Sequence, residues 1–240
     1  MVQYSNFDRI MEAQDHFTCA SRSASKNEAS SKSCMINGNV IRSITALLFL
    51  FLPFTLCGQV KVSYGRAESQ ELMDFFRLEG IQYIKLSFTG KELENKTYQM
   101  WVKEIWDGEI KMESPIVISS AMPGNHKTVG DSTLNIRIIS KLTADNKLSM
   151  DFHFPSFSTS RSFDATSSNM YSLRSAMGTE TIKIGKKFHI LVYMLPYEKE
   201  IGNGSIMRQY CAVEDSGKEI ETWGKEFGIK HYLVFEMKFE

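Results

Sequence analysis

Asp151 and His153 are the residues whose types and spacing come closest to a metal site. They stand two positions apart in Leu148–Phe154, where apolar residues alternate with polar ones, so on a β-strand they would share one face. A closed zinc site needs further ligands, which His189 or His231 would have to supply from other strands. No spacing in the chain requires that arrangement. The sequence therefore predicts ordinary polar or half-buried histidines, with no metal and no cofactor.

Other catalytic patterns are incomplete as well. Gly-x-Ser-x-Gly is absent, and Ser-x-x-Lys occurs only at Ser23–Lys26. Glu104 and Glu109 flank a turn at Asp107-Gly108, where they are either paired carboxylates of glycosidase type or solvated hairpin charges. Because no motif assigns a catalytic residue, the sequence favours a protein that is not an enzyme.

Three aromatic residues, Tyr98, Trp101 and Trp106, could form a platform on which sugar rings stack. The two tryptophans are five positions apart and would point to opposite faces of a regular strand, so we expect at least one of them in the core. Ser132 lies in Asp131-Ser132-Thr133, which matches a short O-glycosylation acceptor pattern of exported proteins.

An uncharged apolar run, Ile44–Leu56, follows Arg42 and leads into Cys57-Gly58-Gln59. It is shorter than the roughly 20 residues that a transmembrane helix needs, and its layout is that of a secretory signal peptide. Cleavage after Gly58 would make Gln59 the first mature residue. Alternatively, Cys57 is a lipid-acceptor cysteine, although the residues before it depart from the usual lipoprotein pattern.

This run also predicts how the chain is organised. Translation from Met35 would make residues 35–58 the signal peptide and the Ser-rich residues 1–34 a non-native or disordered leader. Alternatively, the first residues are a genuine disordered amino-terminal arm, and the apolar run after them is a signal anchor. Residues 59–240 would form one domain of 240 − 58 = 182 residues. Only Cys211 remains there, as a buried thiol, so no internal disulfide is expected. The balance of 28 basic and 28 acidic residues does not indicate nucleic-acid binding.

Alternation of apolar and polar residues predicts a mainly β fold, with eight or nine strands and two short amphipathic helices. The expected strands and hairpins are Ile81–Phe88, Tyr98–Glu113, Thr133–Phe154, Thr181–Leu195, Ile206–Val213 and His231–Phe239. The expected helices are Ser69–Leu78 and Lys218–Phe227. Pro155–Gly178 is expected to be a long loop with at most one irregular strand. These elements favour an antiparallel β-sandwich or stacked hairpins with two helices.

The chain resembles a family of exported proteins of gut Gram-negative anaerobes. The resemblance lies in the apolar run that ends in Leu-Cys-Gly-Gln, in the length of the mature domain and in its Met- and Phe-rich strands. That family is known only as domains of unknown function. The resemblance covers most of residues 44–240 and implies export without an activity.

A second resemblance covers Ser114–Leu195. Ser-Pro-Ile-Val at 114–117, Val129-Gly130 and the Thr133–Phe154 hairpin are similar to the carboxy-terminal β-domain of secretins, in which paired strands form the wall of an outer-membrane ring. The chain lacks the glycine pair after the last strand and the ring-building modules of that family.

The sequence thus predicts an exported envelope or secreted protein. Its expected location is the periplasm, the outer-membrane surface or the outside of the cell. Its expected role is to bind or scaffold a glycan or protein partner. One alternative is a secretin-like assembly component of the envelope. The other is a carbohydrate-binding protein or a carboxylate- or metal-dependent hydrolase. Contact with a membrane is expected only through a lipid anchor or envelope assembly.

Overall fold

The structure is a computed structural model that describes residues 59–176, 181–202, 204–210 and 219–240. The predictions that concern Cys57, Gly58 and Cys211 lie outside these ranges.

The described residues form twelve strands, ten of them in two five-stranded antiparallel sheets. The first sheet has the order β1 (Lys61–Gly65), β2 (Ile81–Thr89), β5 (Thr133–Leu142), β6 (Lys147–His153) and β7 (Ser158–Asp164). The second sheet has the order β4 (Glu109–Ile118), β3 (Tyr98–Trp106), β12 (His231–Phe239), β9 (Phe188–Met194) and β8 (Ser172–Ser175). A separate hairpin pairs β10 (Tyr197–Ile201) with β11 (Ser205–Gln209).

Two short helices accompany the sheets, α1 (Gln70–Leu78) and α2 (Trp223–Phe227). Four single 3₁₀ turns lie at Lys91–Leu93, Ser119–Ala121, Gly124–His126 and Ile220–Thr222. Within the described part of the chain, neither helix has the length and apolar character that crossing a bilayer would require.

The two sheets pack face to face through apolar side chains, which confirms the predicted mainly β, sandwich-like fold. Phe88 of the first sheet meets Phe239 of the second with ring centroids 5.3 Å apart, and Phe152 meets Phe235 at 5.8 Å. The predicted alternation in β5 and β6 is confirmed, because the side chains of Leu134, Ile136, Ile138, Leu148, Met150 and Phe152 are all buried. Removal of this apolar area from water is the main term that favours folding.

Strand β12 is buried on both faces. Its odd-numbered residues face the first sheet, and Tyr232, Val234 and Glu236 face the other way yet are also at most 5% exposed. The segment 220–227 covers this outer face, because the Tyr232 hydroxyl contacts the Glu221 carbonyl at 2.9 Å and accepts the Gly224 amide at 3.1 Å. The prediction that this terminal strand must be paired inside a sheet is confirmed.

Helix α1 forms as predicted, but its apolar face is not buried. The Ser69 side chain accepts the Leu72 amide as N-cap, and Gly80 at φ +65° follows the end of the helix. Phe76 stacks on Tyr83 with centroids 5.7 Å apart, whereas Leu72, Phe75 and Leu78 of the same helix are 41–84% exposed.

Two sequence predictions need correction. Pro155–Gly178 is not a loop with one irregular strand, because it contributes the whole of β7 and β8, which are edge strands of the two sheets. The hairpin expected at Thr181–Leu195 does not form: Ile182 bridges Val60, and β9 pairs with β12 and β8. The strand expected at Ile206–Val213 corresponds to β11 (Ser205–Gln209), and residues 211–213 of the prediction fall outside the described ranges.

The predicted Asp107-Gly108 turn between β3 and β4 is confirmed and contacts helix α2. Both residues have positive φ (+51° and +76°), as a type I′ hairpin turn requires. A Cβ added at Gly224 would lie 2.5 Å from the Gly108 Cα and 2.6 Å from its nitrogen. Glycine at 224 therefore allows the backbone of α2 to touch the turn.

We predict that Gly224→Ala destabilises the protein by about 2 kcal/mol, because the added methyl group forces apart two backbones in contact. Chemical denaturation measures this free energy. Gly130→Ala is the matched control, since a Cβ there meets nothing within 4 Å, and it should have little effect. Equal stability of the two variants would contradict the close contact.

Candidate functional site

The outer face of the second sheet carries a cluster of charged side chains, which we call the charge cluster: Lys103, Lys187, His189, Glu221 and Glu236. The Lys103 Nζ lies 2.6 Å from Glu221 Oε1 and 2.9 Å from Glu236 Oε1. The His189 Nε2 lies 3.1 Å and 3.3 Å from the same two oxygens. Lys187 is more exposed and contacts Glu236 Oε2 at 3.5 Å.

The sheet register explains how these residues meet. Trp101 and His189 are the neighbours of Glu236 on the two flanking strands, and Lys103 lies two residues further along β3 on the same face. A β-bulge at this point skips Ile190, so that His189 rather than Ile190 faces Glu236. Glu221 comes from the 3₁₀ turn that covers this face.

The cluster holds both carboxylates ionised and its imidazole protonated. The hydrogen bond with His189 lowers the pKa of Glu221 to about 2, against the effect of burial. Burial would raise the pKa of Glu236, but hydrogen bonds with His189 and Lys103 lower it to about 2. Burial would likewise lower the pKa of His189, yet the two glutamates raise it to about 9. The stability that His189 contributes is therefore complete below pH 6.5 and is lost as the pH rises through about 9.

His189, Glu221 and Glu236 are also residue types that bind metal ions, and their donor atoms lie within 4.8 Å of one another. However, the Lys103 ammonium already contacts both carboxylates at hydrogen-bond distance. The chain thus supplies its own cation at this place. The geometry is that of an ion cluster that ties segment 220–227 to the sheet.

A second polar group lies at one end of the core, where His231 is 0% exposed. Its Nδ1 is 2.6 Å from the Tyr171 hydroxyl, and its Nε2 is 3.5 Å from Glu104 Oε1. Trp106 stacks on the imidazole with centroids 4.0 Å apart and donates its indole N–H to the same Glu104 oxygen at 2.8 Å. Burial lowers the pKa of His231 to about 4, so that its imidazole is neutral near pH 7.

A groove of about 340 Å³ lies between the β10–β11 hairpin and the end of α2. We call it the hairpin groove. Its lining combines apolar side chains with charges of both signs and consists of Ser168, Met170, Leu195, Pro196, Tyr197, Glu198, Arg208, Phe227, Gly228 and Lys230. Tyr197 and Phe227 pack together with ring centroids 4.7 Å apart. A volume of this size lies within the range of small-molecule sites, and its lining is mixed polar and apolar.

The structure does not bring the three predicted platform aromatics together. Tyr98 is buried in the core and stacks on Phe154, and Trp106 lies on the same inner face against His231. Trp101 lies on the opposite, outer face, where the Lys187 ammonium sits 4.4 Å from the ring centroid.

The other residues that the sequence singled out lie apart from these sites. Asp151 accepts a hydrogen bond from Ser160 across β6 and β7, and the metal-type group found among the described residues includes neither Asp151 nor His153. Ser132 is half-buried directly before β5, and Gln59 is exposed at the start of the described chain. Glu109 pairs with Lys111, whereas Glu104 bonds to Trp106.

Sequence reasoning missed the charge cluster, although one signal was present. Glu236 is the acidic residue in the mostly apolar strand His231–Phe239, and a buried carboxylate requires cationic or hydrogen-bonding partners. That requirement could have identified Glu236 but not its partners, because they come from three other elements. Comparison of the chain with known protein families, with curated proteins and with solved structures found no significant match.

We predict that Glu236→Gln lowers the free energy of unfolding by about 3 kcal/mol, because it leaves Lys103 and His189 without one of their two carboxylates in a buried place. Chemical denaturation at pH 7 measures the loss. Glu109→Gln is the matched control: it breaks a pair with Lys111 in which both side chains are more than half exposed, and we expect almost no change. A loss for Glu236→Gln no larger than that of the control would contradict the role of the charge cluster.

Proposed function

We propose that the protein is exported and acts by binding, and that its ligand occupies the hairpin groove. The groove carries this proposal, since it combines an apolar floor with charged groups at its rim. Leu195 and Tyr197 are at most 9% exposed and form part of the floor, whereas the side chains of Glu198 and Arg208 are about 60% exposed at the rim.

The chemistry of the groove favours a peptide segment as ligand over a sugar. A sugar needs an open aromatic face on which to stack, but Tyr197 is 3% exposed and packs against Phe227. Leu195, Pro196 and Met170 offer instead a surface for an apolar side chain. Arg208 and Lys230 can bind an acidic group next to it.

The hairpin beside the groove also supports a binding role. Strands β10 and β11 pair only with each other among the described strands, and β11 is exposed along most of its length. Ile206 is 66% exposed there, with Ile201 and Met207 near 40%. A two-stranded hairpin is marginally stable by itself, so apolar side chains on its surface suit contact with a partner.

The position of the first described strand supports export. Val60 is 1% exposed and bridges Ile182, and β1 begins at the next residue. In sequence, the apolar run Ile44–Leu56 therefore ends only a few residues before β1. A signal peptide removed after Gly58 would leave every strand of the two sheets in the mature chain.

We predict that peptides selected from a phage-displayed library against residues 59–240 bind in the hairpin groove. Fluorescence polarisation with a selected peptide should show affinity reduced by about ten-fold or more for Met170→Asp and for Lys230→Glu. The first variant places a charge on the apolar surface, and the second reverses the sign of a charge at the rim of the groove. Lys111→Glu is the control, since Lys111 lies on edge strand β4 and does not line the groove. Equal affinity for all three variants would refute the site.

We predict that the protein recovered from its native cell begins at Gln59. Intact-mass spectrometry should give the mass of residues 59–240, with or without cyclisation of the terminal glutamine. A lipid-modified chain that begins at Cys57 would support export by the alternative route. Recovery of a chain that retains Ile44–Leu56 from the cytosol would contradict export.

A further inference from the structure

The outer face of the first sheet carries a row of basic side chains. Lys85 of β2 lies directly opposite Arg137 of β5, and Arg137 lies directly opposite His153 of β6. All three point away from the core, because the residues next to them along the strands, such as Ile136 and Phe152, are buried on the inner face. Arg137 is exposed, and the other two are half-buried. We call these three residues the cationic row.

Within the described part of the chain, the cationic row has no anionic partner. None of its three side chains forms an ion pair or a hydrogen bond with another described residue. Asp151 lies two positions before His153 on the same face, but it accepts a hydrogen bond from Ser160 instead. Like charges directly opposite each other on a sheet are destabilising. The fold therefore carries a repulsion between Lys85 and Arg137 that a bound anion would relieve.

The side chains that surround the cationic row are small and polar. Ser87 and Asn135 lie directly opposite each other, two positions from the row, and the Ser87 hydroxyl donates to the Asn135 side chain at 2.6 Å. Strand β7 continues the same face with Ser158 and Ser160, both exposed. These short side chains leave the longer basic ones accessible from solvent. Hydroxyl and amide groups both donate and accept hydrogen bonds, as the hydroxyl groups of a sugar do.

The cationic row has the shape of a short straight track. Its members lie on three adjacent strands of one antiparallel sheet, and neighbouring strands are about 4.8 Å apart. The row therefore extends over about 10 Å across a sheet whose hydrogen bonds fix the spacing of the charges. A single small anion would meet one or two of these groups. A linear chain with a negative charge on successive units can meet all three.

We infer that the cationic row binds a linear acidic polysaccharide, one that carries carboxylate groups on its sugar units. Charge complementarity carries this inference, together with the polar side chains that border the row. The inference goes beyond the proposed function, because the cationic row shares no residue with the hairpin groove. It assigns a second binding surface, on the first sheet.

Two other polyanions fit this surface less well. Helix α1 borders the row, since Phe76 stacks on Tyr83, which lies two residues before Lys85 on the same face. The helix carries the exposed acids Glu71 and Asp74, which would repel a broad anionic bilayer but not a narrow chain. Nucleic-acid binding requires a more extensive basic surface, and the whole chain has equal numbers of basic and acidic residues, 28 of each.

Isothermal titration calorimetry of the protein with a short oligogalacturonate tests the inference. We expect binding that weakens with added salt, and no binding of a neutral maltooligosaccharide of the same length. The double variant Lys85→Gln/Arg137→Gln should lose about ten-fold in affinity, since it removes two exposed charge contacts. Asp151→Asn should bind about two-fold more tightly, because it removes an anion beside the row.

Lys111→Gln is the matched control, because it removes the same charge from an exposed position on edge strand β4 of the second sheet. Its affinity should equal that of the wild type. Chemical denaturation separates loss of binding from loss of folding: the double variant should be at least as stable as the wild type, since it removes the repulsion between Lys85 and Arg137.

No binding of the oligogalacturonate at low salt would overturn the inference, and so would equal affinity of the double variant and the wild type. Vesicles of phosphatidylglycerol and a single-stranded oligonucleotide are the competing probes. If either binds through the cationic row more tightly than the oligogalacturonate, the polysaccharide assignment is wrong. Failure of a peptide to bind the hairpin groove would refute the proposed ligand site and leave these results unaffected.

Discussion

The burial of β12 on both faces is the constraint from which the other features of this molecule follow. Its inner face packs against the first sheet through Phe235 and Phe239. Its outer face must be covered by chain from elsewhere, and segment 220–227 covers it. Glu236 lies on that covered face. Because an isolated buried carboxylate is strongly unfavourable, Lys103 and His189 must lie beside it, and the covering segment adds Glu221 to balance them.

The same covering segment places the hairpin groove next to the buried side chain of His231. Helix α2 ends in Phe227 and the chain turns at Gly228 with φ +67° to enter β12. Phe227, Gly228 and Lys230 line the groove, and the next residue is His231, whose side chain points into the core. One short piece of chain therefore joins a ligand-accessible surface to a buried titratable group.

The sequence predicted the parts of the fold that depend on local alternation. The hairpin of β5 and β6 was identified from its apolar residues at every second position, and β12 from its unusual apolar content. Strands β7 and β8 were missed because Ser, Thr and Arg dominate them and only Phe163 and Leu173 are buried. The charge cluster depends on a β-bulge and on pairing between strands that lie some forty residues apart, and neither leaves a periodic signal.

The central claim is that the charge cluster ties segment 220–227 to the outer face of the second sheet. Hydrogen exchange of the Gly224 amide, which donates to the Tyr232 hydroxyl, tests it most directly in the wild type and in Glu221→Gln. The account predicts faster exchange at Gly224 in the variant, with unchanged protection in β5 and β6. Identical exchange at Gly224 in both proteins would show that the segment is held without the cluster and would contradict the account.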